Sequence, residues 1–505
     1  MGAATGPKGA DTGPRSAETG PKGTVTDPKS TVTDPKSTVT DPKGTEADPK
    51  GTETDLKGTD INHSREQRPG AVCVIGLGYV GLTLAVTLAA QGLRVIGVER
   101  DPAVREQLAR KQPHVHEAGL ELDRAVDSGL FTVTGSVPSG LAADTYIVCV
   151  GTPVDESGVP DLTQVEGAVR SVAEHAVDGN LVILRSTVPV GTSRALLAGL
   201  RTHRDVELAF CPERTVQGVA VHELRSLPQI VAASTPSAAG RAAALFRTLT
   251  PDIVEVSTLE TAEIAKLACN AYRYSLFAFA NELARLCESV GVSSREVRAA
   301  AATGYARGVM PTAGPVGGSC LPKDTAILAR AFQDHGSPGS ALLDGVTGAH
   351  RATPDQVADR VADRMARLAV PGPLTVALLG VAFKGHPETD DERSSPAVQI
   401  MARLRERFGG ATVRAHDPLV PHARQRALGY EPYTEVKEAV DGAHLVVIGT
   451  NHKSYAELSL HWLSERMASP GIVYDAWAVH AHDRAALSGE VEYLAFGEGR
   501  LARSS

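Results

Sequence analysis

The sequence predicts an α/β protein with two doubly wound, Rossmann-like domains joined by a long central helix, and with a disordered amino-terminal tail. Short apolar runs alternate with helical stretches in residues 70–256 and again in residues 369–505, as strands and crossover helices do in parallel sheets. Between these parts, Leu259–Val290 has the pattern of one unbroken helix.

Length and composition limit the possible classes. A chain of 505 residues is too long for one core, so two or three domains are expected. The formal net charge of −8 argues against nucleic-acid binding, which needs clustered Lys and Arg. The six cysteines show neither CxxC nor metal-ligand spacing, which predicts reduced thiols in a cytoplasmic enzyme without a bound metal. We expect neither a membrane span nor a secretory signal, since the apolar runs are short.

Residues 1–69 differ from the rest of the chain in composition. The run Thr-Val-Thr-Asp-Pro-Lys-Ser recurs from Thr24, Thr31 and Thr38. Its few apolar side chains cannot bury enough surface to offset the entropy of ordering, so the tail is predicted to be disordered. A tether or an interaction arm is the functional alternative to a dispensable extension.

The individual elements are predicted from their local patterns. In residues 70–256 we expect a helix at Leu82–Gln91 and strands at Ala71–Ile75, Arg94–Val98, Thr145–Val150, Leu181–Leu184, Leu208–Cys211 and Gln229–Ala232. Residues 257–368 are expected to be helical, with Asp324–Phe332 as a second helix. In residues 369–505 we expect strands at Thr375–Leu379, Thr412–Ala415, Leu445–Gly449 and Ile472–Tyr474.

The turn Gly76-Leu77-Gly78-Tyr79-Val80-Gly81 lies between the first strand and the first helix. In a dinucleotide-binding unit these glycines permit the tight turn, the approach of a pyrophosphate and close helix packing, in that order. Glu99, at the end of the second strand, suits two ribose hydroxyls and favours NAD over NADP, although Arg100 beside it weakens that preference. A purely structural glycine turn is the alternative.

The segment Gly317-Gly318-Ser319-Cys320-Leu321-Pro322-Lys323-Asp324 is the most specific signal. Its glycines allow a ligand close to the cysteine, and Lys323 and a helix start at Asp324 favour the thiolate form of Cys320. Such a thiolate can add to an aldehyde and form a thiohemiacetal, from which a second hydride can leave. The other five cysteines fall in strand or helix patterns and are interpreted as small buried apolar residues.

Further candidates lie on the long helix and at strand ends. Lys266 and Asn270 are four residues apart, so they share a helix face, and apolar neighbours predict a partly buried lysine suited to acid/base work. A surface ion pair with Glu263 is the alternative. Ser186–Thr192 and Glu213 each follow a strand, where open α/β sheets place ligands.

These motifs together resemble the UDP-glucose/UDP-N-acetylhexosamine 6-dehydrogenase family over about residues 71–490. The resemblance implies an NAD-binding domain (residues 70–256), a central helical dimerisation and catalytic domain (257–368) and a UDP-binding domain (369–505). It implies a homodimer or higher homo-oligomer and a four-electron oxidation of the C6 hydroxymethyl of a UDP-sugar. The motifs that carry it, besides those above, are Gly151-Thr152-Pro153, Pro212-Glu213, Asn281-Glu282, Phe383-Lys384 and Thr389–Pro396.

The resemblance also implies roles for single residues. Cys320 would be the nucleophile, with Lys266, Asn270 and Asp324 holding the C6 oxygen and a water, and Glu213 and Thr187 serving thioester hydrolysis. The expected cofactor-binding residues are Gly76, Gly78, Tyr79, Val80, Gly81, Glu99, Arg100, Thr152, Pro153 and Thr187. The expected substrate-binding residues are Arg214, Lys266, Asn270, Arg307, Gly317, Lys384 and Arg393, with Arg307 reaching the substrate of a neighbouring subunit.

The sugar is the open question. Pro212-Glu213-Arg214 and the long stretch after Phe383-Lys384 resemble the N-acetylhexosamine branch, which favours UDP-GlcNAc or UDP-ManNAc over UDP-glucose. Thr215–Gly218 and Tyr274 depart from that branch. A one-step hydroxyacid dehydrogenase and a non-catalytic nucleotide-sugar binding protein are more distant alternatives.

Overall fold

The computed structural model describes residues 70–499, apart from residues 142, 156, 371–372 and 482–486. The tail expected to be disordered, residues 1–69, lies outside the described residues. Within them, no helix combines the length and the apolar character that crossing a bilayer requires.

The first α/β part is built on an eight-stranded sheet. Its strands are β1 Ala71–Ile75, β2 Val95–Val98, β3 Phe131–Thr134, β4 Ala143–Val148, β5 Leu181–Leu184, β6 Glu207–Phe210, β7 Gln229–Ala233 and β8 Ile253–Glu255. They lie in the order β3-β2-β1-β4-β5-β6-β7-β8, whose first six positions match the order of a dinucleotide-binding sheet. All neighbours are parallel except β6 and β7, so this sheet departs at one edge from the all-parallel prediction.

Helices cover both faces of this sheet and shape its carboxyl edge. They are α1 Tyr79–Ala90, α2 Pro102–Ala109, α3 Leu122–Asp127, α4 Thr163–His175, α5 Thr192–Arg201, α6 Ala220–Ser226 and α7 Pro236–Phe246. One core, which includes Val72 and Leu84, lies on one side, and another, which includes Cys73 and Tyr146, lies on the other. Because successive side chains of β1 point to opposite faces, its continuous apolar run serves both cores.

The central part is helical, as expected. Its helices are α8 Leu259–Val290, α9 Ser294–Ala302, α10 Leu321–Asp334 and α11 Ala341–Arg367, with a short 3₁₀ turn at Ala306–Gly308. Helix α8 has the predicted bounds, because the Thr258 side chain caps its start and Gly291, in a left-handed conformation, ends it. Helix α11 was not predicted, since Gly345, Gly348 and Pro354 within it oppose helix formation.

The second α/β part contains a six-stranded, wholly parallel sheet in the order β11-β10-β9-β12-β13-β14. Its strands are β9 Thr375–Leu379, β10 Thr412–His416, β11 Glu431–Pro432, β12 Leu445–Ile448, β13 Gly471–Asp475 and β14 Val491–Ala495. The helices are α12 Pro396–Phe408, α13 His422–Ala427, α14 Val436–Val440, α15 Lys453–Ala456 and α16 Leu460–Arg466. The strand order reverses between β9 and β12, which opens a crevice at their carboxyl ends.

Two predictions of detail were wrong. Helix α10 begins at Leu321 rather than at Asp324, so Cys320 itself is the residue that precedes the helix. Cys269 is exposed, although its helix pattern indicated a buried position, because the apolar face of α8 on which it lies is not covered by the core.

The glycine-rich turn gives a test of packing. A Cβ on Gly81 would lie 1.8 Å from the Gly76 carbonyl oxygen, whereas a Cβ on Gly167, within α4, would meet no atom within 4 Å. We therefore expect Gly81→Ala to cost about 1–3 kcal/mol by overpacking. Gly167→Ala should instead add about 0.5–1 kcal/mol by lowering the entropy of the unfolded chain. Urea unfolding of the two variants checks both signs, and equal midpoints would contradict the packing account.

Candidate active site

The glycine-rich turn fits a dinucleotide at the amino end of α1. Gly78 precedes the helix, and a Cβ there would meet nothing within 4 Å, so the backbone N–H groups are open to a ligand. Glu99 braces the turn from β2, accepting hydrogen bonds from the backbone N–H groups of Leu77 (3.1 Å) and Asp101 (3.0 Å). Each carboxylate oxygen keeps a further lone pair for a ribose hydroxyl. These residues therefore fit NAD.

The other predicted cofactor residues surround this turn. Val80 and Arg100 are exposed beside it. The Tyr79 hydroxyl donates a 2.8 Å hydrogen bond to Asp390 of the second α/β part, which ties the turn to the loop that follows β9. That contact was not predicted, because the two residues are 311 positions apart.

A buried polar cluster joins α8 to α10. Asp324 is 1% exposed, and its Oδ2 accepts a 2.6 Å hydrogen bond from Asn270 Nδ2 and lies 3.6 Å from Lys266 Nζ. Its Oδ1 lies 2.9 Å from Lys323 Nζ. The ammonium groups of Lys266 and Lys323 therefore face the single carboxylate of Asp324, which leaves one excess positive charge in a largely desolvated cluster. Such an arrangement stabilises an oxygen that becomes negative.

Cys320 is exposed at the amino end of α10, one turn before the buried cluster. The Asp324 backbone N–H donates to the Cys320 carbonyl (2.9 Å), which fixes the spacing between the two residues. A Cβ on Gly317 would lie 2.2 Å from the Ser394 carbonyl oxygen, and Gly318 has a φ of +87° beside the Phe383 ring. The segment that carries Cys320 is thus packed against the second α/β part.

A short chain of hydrogen bonds links α10 to two loops of the first sheet. Lys323 Nζ donates to Thr152 Oγ1 (3.2 Å), and Thr152 Oγ1 donates to the Thr187 carbonyl oxygen (2.6 Å). Thr152 follows β4 and Thr187 follows β5, so the predicted strand-end segments do lie together with the Cys320 helix. Pro153 is exposed next to Thr152.

Glu213 is buried and fully engaged. Its Oε2 accepts hydrogen bonds from Arg185, including one of 3.2 Å from Nε, and its Oε1 accepts from the backbone N–H groups of Arg214 (2.7 Å) and Thr215 (2.8 Å). Burial alone would raise the pKa of Glu213, but Arg185 and these N–H groups outweigh it and lower the pKa below its usual value. The carboxylate is therefore a fixed anion rather than a group that readily takes up a proton.

Two predicted substrate residues come from the second α/β part. Lys384 Nζ donates to the Gln217 carbonyl oxygen (2.7 Å), and burial lowers its pKa to about 8, with Glu117 opposing and Arg273 adding to the shift. Arg393 makes two hydrogen bonds to Asp391, which raise its pKa. Both cations lie beside the segment that carries Cys320: Lys384 Nζ is 5.5 Å from the centre of the Phe383 ring, against which Gly318 packs, and Arg393 precedes Ser394, whose carbonyl oxygen lies against Gly317.

Two predicted substrate residues have other contacts. Arg214 donates through Nη2 to the Pro228 carbonyl oxygen. Arg307 is exposed on the 3₁₀ turn, with its guanidinium 4.9 Å from the centre of the Tyr305 ring. Among the described residues no hydrogen bond joins Arg307 to the Asp324 cluster, so its role across a subunit boundary stays a prediction.

Sequence reasoning missed the contacts that three charged residues make in the site. Arg185 donates hydrogen bonds to Glu213, and Asp390 accepts one from the Tyr79 hydroxyl. Glu263 accepts from the backbone N–H groups of Gly191 (2.6 Å) and Ser193 (2.8 Å) instead of forming a surface ion pair with Lys266. A signal existed for two of them. Arg185 ends a fully apolar strand and Glu263 stands beside Ala262 and Ile264, and charges in such positions are buried only with partners.

Comparison with known proteins gives concordant matches along the ordered chain. Residues 70–250 match the NAD binding domain of the UDP-glucose/GDP-mannose dehydrogenase family, residues 260–348 its central domain and residues 377–482 its UDP binding domain.

Individual relatives match over most of their length. The UDP-N-acetyl-D-mannosamine dehydrogenase of Pyrococcus horikoshii is 31% identical over 404 residues, covering 78% of this chain and 91% of the relative. The UDP-glucose 6-dehydrogenase of Bacillus subtilis is 30% identical over 416 residues, covering 80% and 88%. The solved structure of the Pyrococcus horikoshii UDP-D-ManNAc dehydrogenase has a TM-score of 0.76 at 28% identity, covering 85% of this chain and 99% of that one.

The open backbone at Gly78, the strand order of the first sheet and these matches agree with one another. The chain belongs to the UDP-glucose/GDP-mannose dehydrogenase family and is an NAD-dependent dehydrogenase with that family's three domains.

Proposed function

We propose that this protein oxidises the C6 hydroxymethyl of a UDP-sugar to a carboxylate, with Cys320 holding the carbon between the two oxidations. The observation that supports this most is the exposed Cys320 one helical turn from the buried Lys266–Asn270–Asp324 cluster. A nucleophile next to an oxygen-stabilising group is what oxidation through an aldehyde needs. A one-step hydroxyacid dehydrogenase has no use for such a cysteine.

The balanced reaction turns one R–CH₂OH and one water into R–COO⁻ while two NAD⁺ become two NADH and three protons are released. NAD, when bound, supplies the hydride acceptor for both oxidations. The Cys320 thiolate adds to the aldehyde carbon and forms the carbon–sulfur bond of a thiohemiacetal. Loss of the second hydride leaves a thioester, and attack by water breaks the carbon–sulfur bond and returns the thiolate.

The cluster would manage the C6 oxygen through these steps. Lys266 and Asn270 donate towards it, and the excess positive charge of the cluster stabilises it when it is negative. Asp324 accepts from Asn270, pairs with Lys266 at 3.6 Å and would hold a water, through which the hydroxyl proton leaves. Thr187 positions the water that attacks the thioester, and Glu213 contributes a fixed negative charge there, because its pKa is lowered.

The first α/β part would bind NAD, and the second would bind the UDP part of the substrate. The turn Gly76–Gly81, Glu99, Arg100, Thr152, Pro153 and Thr187 are the proposed NAD contacts. Lys384 and Arg393 would neutralise the substrate's diphosphate region, with Arg214 and Gly317 near the sugar and Arg307 acting from a second subunit. The crevice between β9 and β12 offers the uridine a place in the second sheet.

We propose a UDP-N-acetylhexosamine as the sugar substrate, with UDP-glucose as the alternative. Pro212-Glu213-Arg214 and the long stretch after Phe383-Lys384 support the acetamido sugar, while the Bacillus subtilis relative supports the alternative. The unusual Tyr274 bears little on this choice, because its ring is buried and stacks on His350 at 3.7 Å.

We propose that the protein is a homodimer formed through α8. Tyr272, Leu276, Phe279, Leu286 and Val290 lie along one stripe of this helix at spacings of three, four and seven residues, and each is between 37% and 67% exposed. A stripe about 27 Å long with this repeat can pack against the same stripe of a second subunit, as helices do in a coiled coil. The cytoplasm is the proposed location, because all six cysteines are free thiols.

The first test removes the nucleophile. Cys320→Ser should lower NADH formation about 10³-fold or more, because a serine oxygen does not replace the thiolate in forming the acyl intermediate. Cys269→Ser, which changes the other exposed cysteine, is the matched control and should keep wild-type activity. Full four-electron oxidation by Cys320→Ser would overturn the mechanism.

The same assay, run on the wild type with UDP-glucose, UDP-GlcNAc, UDP-GalNAc and UDP-ManNAc, tests the substrate. The highest kcat/KM should belong to an acetamido sugar, and a higher value for UDP-glucose would refute that choice. Absence of NADH with every sugar would refute the proposed activity.

The second test uses the pKa of Lys384. With a pKa of about 8, Lys384 is charged at pH 7 and neutral at pH 9.5 in the free protein. The dissociation constant of UDP should therefore rise as pH increases through 8, by about tenfold at most per pH unit. Titration calorimetry from pH 7 to 9.5 measures it. Lys384→Arg keeps its charge over this range and should show a flat profile, and an equally flat wild-type profile would contradict the assigned role.

The third test addresses the dimer. Phe279→Glu places a charge in the α8 stripe and should halve the mass measured by light scattering after gel filtration. Because Phe279 is 61% exposed in the single chain, the variant should fold. Val177→Glu, at a 62% exposed position outside the stripe, is the control and should keep the wild-type mass. A wild type that is already monomeric would refute the dimer.

A further inference from the structure

Glu263 is a buried charge to which the proposed mechanism gives no task. It is 1% exposed on α8, one turn before Lys266. Its Oε2 accepts from the Gly191 backbone N–H (2.6 Å) and its Oε1 from that of Ser193 (2.8 Å). Burial raises its pKa, and these two bonds partly offset the shift. A carboxylate in this position needs a structural reason.

The reason lies at the start of α5. This helix begins at Thr192 after Gly191, which has a φ of +90° and no side chain to cap the helix. The first N–H groups of a helix need acceptors, and a negative charge is also favoured at this end. Glu263 supplies both from α8, so it acts as the missing cap.

The capped segment is also tied to α8 by a second route. Thr187, five residues before Thr192, accepts from Thr152, which accepts from Lys323. Lys323 pairs with Asp324, and Asp324 accepts from Asn270 on α8. Two hydrogen bonds, the Lys323–Asp324 ion pair and the Asn270–Asp324 hydrogen bond thus connect Thr187 to α8, while Glu263 connects Gly191 to the same helix.

We propose that Glu263 is a positioning residue that holds the Ser186–Thr192 segment at a fixed distance from Lys266, so that Thr187 can direct water onto the thioester. This inference rests on the proposed function. Glu263 touches neither substrate nor cofactor and acts only through the segment that it caps. A displacement of about 1 Å in a reacting group can cost about 10²-fold in rate.

The test is Glu263→Gln, which keeps the size of the side chain. One of its two head atoms becomes an NH₂ group, which cannot accept from a backbone N–H, so either Gly191 or Ser193 loses its acceptor. If thioester hydrolysis then slows, a burst of two NADH per subunit should precede a steady rate at least tenfold below the wild type. Intact-mass spectrometry should show the uronyl adduct on Cys320.

The matched control is Glu260→Gln. Glu260 also joins α8 to α5, through two hydrogen bonds from Arg194 of 2.7 and 3.0 Å, but its side chain is 27% exposed, and it accepts from a side chain of α5 rather than from the backbone N–H groups at the start of that helix. Glu260→Gln should behave like the wild type, with the same steady rate, no burst of NADH and no adduct on Cys320. Both variants are assayed at about 15 °C, after calorimetry has established that each remains folded there, so that stability alone does not change the rates.

The outcomes separate the inference from the function on which it rests. A variant Glu263→Gln that unfolds earlier but turns over like the wild type, with no burst and no adduct, would reduce Glu263 to a purely structural cap. A slower rate without a burst would place the defect in the hydride steps and also overturn the inference. If the wild type itself formed no NADH with any UDP-sugar, the proposed function would fail first.

Discussion

The buried carboxylate of Asp324 is the interaction on which the rest of the site depends. It brings Lys266 and Asn270 of α8 together with Lys323 of α10, and Lys323 in turn reaches Thr152. Removing one partner of such a buried group costs about 3–5 kcal/mol, because the remaining charges lose their compensation. The same electrostatics that hold the two helices together therefore provide the excess positive charge that an oxidised alcohol needs.

Much of the fold could be predicted because its signals are local. The bounds of α8 and of β9 follow from a capping Thr258, a terminal Gly291 and an unbroken apolar run. The glycine-rich turn and the Cys320 segment could also be recognised, since each demands particular residue types at fixed spacing. Lys266, Asn270 and Asp324 do meet: helical spacing predicted that the first two share a face, and the family resemblance added Asp324.

What could not be predicted depends on contacts between distant residues. Helix α11 contains Pro354, and only its packing against α8 and α12 makes it helical. The reversed direction of β7 depends on the path of the chain rather than on its own composition. Glu213 illustrates the same limit within the site, because nothing near it in sequence indicates that Arg185 would occupy one of its oxygens.

Two glycines let the first α/β part and the central part each approach the second α/β part closely. A Cβ on Gly218 would lie 2.1 Å from the Glu388 carbonyl oxygen, and one on Gly317 would lie 2.2 Å from that of Ser394. Main chain thus touches main chain at both places, and no rotamer change could relieve an added methyl group. An engineer who wishes to alter the choice of sugar should therefore leave these two glycines untouched and vary the side chains of Thr215–Gln217, which lie between Arg214 and Gly218 in the chain.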